Sequence, residues 1–169
     1  MAIAKTLKSY LDRHNVPYDM VHHAHTQSAL DSAFSAHVPV HQLAKAVVME
    51  DLHGYVVAVI PSDNRLNVRW VNEELDRELH LCSEDKLRKL FRDCDSGAVP
   101  ALASAYDLPV IWDDRLLHVA DIYIEAGDHE HLVHLLGRDF REMMEMLPHS
   151  MISRSAETMA ADGSRAWSG

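Results

Sequence analysis

A lysine inside an apolar run and a glycine–proline loop are the two features of this chain best suited to chemistry. The run is Leu43-Ala44-Lys45-Ala46-Val47-Val48-Met49, and Lys45 is its one charge. Burying an ammonium is costly unless something meets it, because desolvation disfavours the charged form. The loop is Gly97-Ala98-Val99-Pro100, leading through a second turn into the strand-like Val110-Ile111-Trp112. Gly97 lets backbone approach closely and Pro100 fixes φ, so the loop presents N–H groups in a set geometry. Such groups can donate to a carbonyl oxygen whose charge grows during ester hydrolysis. Together the two features point to a pocket for a small anionic or carbonyl-bearing ligand. Taken singly, each has a plainer reading: an edge lysine that carries its charge out to water, and an ordinary turn before a strand.

Other chemistry is thinner. Cys82 and Cys94 form no CxxC pair, and neither shows the base and lowered pKa that a nucleophile needs. His22-His23-x-His25 and His129-x-His131-x-x-His134 stand out among thirteen histidines. An HExxH pattern fails because position 133 is Val133, and on a strand His131 and His134 face opposite sides. These histidines are expected to be surface or half-buried, with no metal bound. No Ser-His-Asp set is legible. Thr26, Ser28 and Ala29 mark a helix start, with the hydroxyls as caps.

The elements that must position these residues follow from apolar spacing. A helix is predicted over 3–14, closed by Pro17, then a short strand to His22 and a helix over 28–36. Residues 42–49 and 55–60 read as a hairpin around Gly54, apolar enough to be covered on both faces. Asn67 caps a helix over 68–75, and Ser83 one over 84–91. Strands follow at 80–82, 110–112, 119–124 and 131–136, and a helix at 138–147. The fold class is α/β, with a mixed sheet in one domain over 1–147. Residues 148–169 are small and polar without periodicity, and are expected to be a poorly ordered tail.

The length of 169 residues suits one domain, and 47% hydrophobic with 25% charged residues is ordinary for a soluble protein. No apolar stretch is long enough for a membrane span, and the first residues lack the apolar core of a signal peptide, so a cytoplasmic location is expected. A formal net charge of −10 argues against bulk nucleic-acid binding. It leaves room for recognition of one RNA end by one or two cations.

The ordered set NVPYDMVHH, HTQSALDSA, LAKAVVME, YVVAVIPSDNRL, SEDKLRKLF, DCDSGAVP, PVIWD and YIEAGDHEHLVHL resembles the YbaK / prolyl-tRNA-synthetase-associated editing domain family. The resemblance implies a free-standing aminoacyl-tRNA deacylase that edits a mischarged small amino acid. Lys45 matches the family's functional lysine, which holds the terminal nucleotide and orients the ester. Lys45 and Gly97 are thereby the catalytic candidates. Ser28, Ala98, Val99, Pro100 and Ala101 are the substrate-binding candidates. The loop corresponds to the family's GxxxP element, with Ala101 at the proline position, the proline one residue earlier at Pro100, and Ala103 where a glycine is common. The resemblance further implies attack by water helped by a ribose hydroxyl, no cofactor, and the 3′ end of aminoacyl-tRNA as partner, with a tRNA synthetase as a further one. A non-catalytic module binding an aminoacyl or nucleotide ligand is the alternative, favoured by Ala101, Ala103 and the acidity.

Overall fold

A computed structural model describes residues 3–156. In chain order the elements are α1 (Lys5–Arg13), β1 (Asp19–His22), α2 (Ala29–Ala36), β2 (Leu43–Asp51), β3 (Gly54–Pro61), β4 (Asn64–Leu66) and α3 (Val68–Leu75). Then come β5 (His80–Leu81), α4 (Glu84–Leu90), β6 (Val110–Asp113), β7 (Asp121–Glu125), β8 (His131–Leu136), α5 (Gly137–Met144), β9 (His149–Ser150) and β10 (Ser153–Ser155).

The β2–β3 hairpin is the centre of the sheet, in antiparallel register from Ala44↔Pro61 to Asp51↔Gly54. The strand order is β1-β8-β7-β2-β3-β6-β9, with β5 also pairing β2. β2 runs parallel to β7, β3 parallel to β6 and β6 parallel to β9, so the sheet is mixed as its alternating helices and strands require. The period-two alternation of β3 explains its unbroken apolar run. Val57 and Val59 join one core with Leu7 and Leu11 of α1 and Phe140 of α5. Val56, Ala58 and Ile60 join another with Val71 of α3. A third cluster sets Ala33 of α2 on Leu43 and Leu132. Helices therefore cover both faces.

Local chemistry sets the boundaries. Ser28 Oγ accepts from Asp31 N–H at 3.1 Å, and Asn67 Oδ1 accepts from Trp70 N–H at 3.2 Å, both as N-caps. Ser83 departs from expectation: its side chain makes no cap bond, and its carbonyl alone receives the first helical N–H groups. At Gly137 a Cβ would lie 1.9 Å from Val119 O, so no other residue fits between α5 and the approach to β7. β4 is not among the strands expected from the sequence.

The expected tail is corrected in its first part. Residues 148–155 pack on the domain, β9 beside β6 and β10 beside β4. Ile152 is fully buried. Asp113, also fully buried, accepts from Ile152 N–H at 3.1 Å, Ser153 Oγ at 2.6 Å and Arg115 N–H at 2.8 Å. Asn64 Nδ2 donates to Ser153 Oγ at 2.9 Å. The segment has too few apolar residues to signal itself, and a carboxylate 39 residues away in sequence holds it. The remainder of the expected tail, from 157, lies outside the described residues.

A chain ending at Leu147 loses the Ile152 side chain from the core and leaves the Asp113 carboxylate without two of its donors. The expected cost is at least ~3 kcal/mol, read as a lower urea midpoint. An unchanged midpoint would show that 148–155 adds nothing to stability.

Candidate functional site

β2 and β7 pair for two residues, Leu43↔Tyr123 and Ala44↔Ile124, and then part. The residues just past the last pair are Lys45 on β2 and Glu125 on β7. The end of β7 is drawn away by two bonds: Ala4 N–H donates to Ala126 O at 2.9 Å and Asp95 N–H to Gly127 O at 2.8 Å. Farther along, β5 takes up the freed edge of β2 at Met49↔Leu81. A cavity of about 140 Å3 opens where the two strands part, beside the first residues of β2 and the carboxyl end of β7.

Lys45, Gly97, Ser28 and Val99 all line this cavity, so the fold brings together four of the seven residues singled out from sequence. Ala98, Pro100 and Ala101 do not line it. They are buried, and Ala101 sits in the main core cluster, where it supports the turn from behind. The remaining walls are Gln27, Ala29 and Ser32 at the start of α2, Leu43, Ala44, Ala46 and Leu132 from the sheet, and Glu125 with His129.

The Gly97 turn is held firmly. Ala98 N–H donates to Asp95 O at 2.9 Å, and Gly97 has φ +81°, the left-handed value required at the third position of a type II turn. Ala98 N–H is thereby spent inside the turn. The N–H groups of Gly97 and Val99 have no hydrogen-bond partner among the described residues. His129 Nε2 lies 2.6 Å from Ser96 O. A carbonyl only accepts, so Nε2 carries the proton and donates. The peptide is trans, so pinning the Ser96 oxygen also sets the direction of Gly97 N–H.

Glu125 braces the opposite wall. Its Oε2 accepts from the N–H groups of Gly127, Asp128 and His129 at 2.8, 3.1 and 3.2 Å. This bracing holds His129 in a left-handed conformation, φ +63°, with the residue 6% exposed. The expectation of a surface or half-buried histidine is thus corrected for His129. Glu125 and His129 were missed because their importance depends on a tight turn folding back on itself. The acid–Ala–Gly–Asp–His spacing was the signal available.

Lys45 is half-buried and its Nζ donates to Ser62 O at 3.3 Å. By alternation along β2 it lies between Leu43, under α2, and Val47, under α3, so it occupies a break between two helix-covered clusters. Burial, and secondarily the Arg65 guanidinium, pull its pKa below the ordinary lysine value, while Asp63 opposes the shift. Ser28 points its Oγ at the Asp31 N–H, so its capping role stands. Burial pushes the Cys94 thiol up to about 12, away from the lowered pKa that a nucleophile needs, despite a contact with Tyr106 Oη at 3.4 Å. Among the described residues, no group of three His, Cys, Asp or Glu side chains is placed to hold a metal ion.

Against known proteins, residues 23–143 match the family model for the aminoacyl-tRNA editing domain. No curated protein matches the sequence significantly. Solved structures share the fold at low identity. A hypothetical protein aligns with TM-score 0.78 and 19% identity over 89% of this chain and 100% of its own. A candidate trans-editing enzyme for prolyl tRNA synthetase aligns with TM-score 0.76 and 18% identity, over 90% and 97% of the two chains. A candidate signal transduction protein from Marinobacter aquaeolei VT8 aligns with TM-score 0.75 and 16% identity over 91% of this chain, which spans 31% of that longer one.

The lowered pKa of Lys45 has a definite sign. The fold holds the neutral amine more readily than the ammonium, so the charge costs stability wherever Lys45 is protonated. Lys45→Met is expected to be more stable than the parent at pH 7, with the gap closing as pH rises through the folded-state pKa of Lys45. Urea midpoints from pH 7 to 10 measure this, and a less stable variant at pH 7 would contradict it.

Proposed function

The chain belongs to the aminoacyl-tRNA editing domain family, and from that premise we propose that it is an aminoacyl-tRNA deacylase, acting in trans to hydrolyse the ester of a mischarged small amino acid. The observation that carries the proposal is the meeting of Lys45 and Gly97 on one cavity of about 140 Å3. A cavity of about 150 Å3 accepts benzene, so this one suits a short side chain and its ester carbonyl. Editing by a second site is needed where binding alone separates similar small side chains poorly.

In this reading Lys45 supplies a point charge that holds the nucleotide end and orients the ester. The unpaired N–H groups of Gly97 and Val99 are the donors available to the carbonyl oxygen as it gains charge. Water adds to the carbonyl carbon, the tetrahedral adduct collapses, and the ribose oxygen leaves with a proton. His129 acts through the turn, because its Nε2–H is committed to Ser96 O. Ala98, Pro100 and Ala101 shape the site from beneath.

The partner is the 3′ end of an aminoacyl-tRNA. With a net charge of −10 the chain recognises that end rather than the length of the RNA. The neighbour described as a candidate trans-editing enzyme for prolyl tRNA synthetase supports a synthetase as a second partner, and a cytoplasmic location is part of the same proposal. No helix among the described residues is long and apolar enough to cross a membrane. A second reading is a binding module without hydrolysis. It is favoured by the recurrence of this fold as a part of a longer candidate signal transduction protein.

Incubation with alanyl-, seryl-, cysteinyl- and prolyl-tRNA is expected to show deacylation of at least one. Lys45→Ala is expected to lower kcat/KM by about 100-fold or more without lowering the melting temperature. If every charged tRNA stays intact while an aminoacyl-adenosine analogue still binds, the module reading replaces this one.

A further inference from the structure

The cavity holds two opposite charges that do not meet. Lys45 and Glu125 both line it, one on each side of the β2–β7 seam. The Lys45 ammonium is bonded to Ser62 O, and no ion pair joins it to Glu125. Glu125 is divided in its use. All three backbone donors go to Oε2. Oε1 has no hydrogen-bond partner among the described residues. Glu125 is half-buried and lines the cavity, so Oε1 is open to a cation or a strong donor that enters it.

From this arrangement we infer that Glu125 Oε1 receives the α-ammonium of the aminoacyl group, making Glu125 the residue that selects esters with a free α-amino group over N-acylated ones. The inference rests on the deacylase reading and deepens it. The charges decide the orientation. An α-ammonium is repelled by Lys45 and attracted by Glu125, while the phosphate end of the nucleotide has the opposite preference. One carbon separates the ammonium from the ester carbonyl, so anchoring the first positions the second. An acylated nitrogen carries no charge, so it loses the attraction to Glu125, and it adds bulk to a cavity of about 140 Å3.

The test compares one amino acid on tRNA with its amine free or acetylated, for the parent and Glu125→Gln. The glutamine amide oxygen can keep the three backbone donors, while its NH2 replaces the acceptor. The parent is expected to prefer the free amine by about 100-fold. Glu125→Gln is expected to lose about 10- to 100-fold in kcat/KM on the free amine, chiefly through KM, with little change on the acetylated substrate. The urea midpoint of Glu125→Gln, compared with that of the parent, is the control for folding. Equal losses on both substrates, or no loss on either, would overturn the inference and leave the deacylase reading standing. If the parent cleaves neither, the deacylase reading fails, and calorimetry with 3′-deoxy-3′-(alanylamino)adenosine and its N-acetyl form decides the inference. Tighter binding of the free amine that Glu125→Gln abolishes supports it, and no such preference refutes it.

Discussion

The parting of β2 from β7 after two register pairs is the constraint on which the rest of the structure depends. Parallel strands that stay paired leave no room between them, and strands that never pair cannot hold two side chains in register. Here Ala44↔Ile124 is the last fixed point, and Lys45 and Glu125 are the first residues released from it. The small residues Ala44 and Ala46 flank the lysine and keep the opening clear. The start of α2 and the 96–99 turn close it from the sides.

Keeping a seam open requires its edges to be tied elsewhere, and polar side chains do this. Glu125 gathers the three N–H groups of the β7–β8 loop. His129 in that loop holds the Ser96 carbonyl. Asp93 accepts from Thr6 N–H at 2.8 Å and from Tyr106 Oη at 2.7 Å, which ties α1 and the 103–106 turn to the loop that carries Ser96. Asp113 does the equivalent at the other edge of the sheet. Each of these carboxylates satisfies several donors at once. Removing one strands several groups, which makes such networks rigid and costly to break.

The charge distribution fits a ligand approached by its end. The surface is acidic overall, while the cavity presents one partly desolvated ammonium. Bulk polyanions gain little from such a surface, and a single phosphate or ester reaching the seam meets a cation whose field water screens weakly.

Much of the framework was legible in the sequence because it is set by short-range physics. Alternation in residues 55–60 and the Gly54 turn specify the hairpin, Asn67 and Ser28 specify helix starts, and Lys45 in LAKAVVM marks a charge that must be accommodated. The sequence pattern also carried the family. What only the tertiary structure decided depends on which backbone groups are bonded, some within a turn and some far along the chain. Ala98, Pro100 and Ala101 read as pocket residues, yet the type II turn at Gly97 rotates them into the core. His129 read as surface or half-buried, yet the Glu125 carboxylate folds its loop inward. Residues 148–155 read as tail, yet Asp113 recruits them. In the first two cases backbone N–H groups no more than four residues away close a turn, and in the third an N–H 39 residues away bonds a buried carboxylate. Every residue carries such groups, so the sequence does not mark which of them will be used.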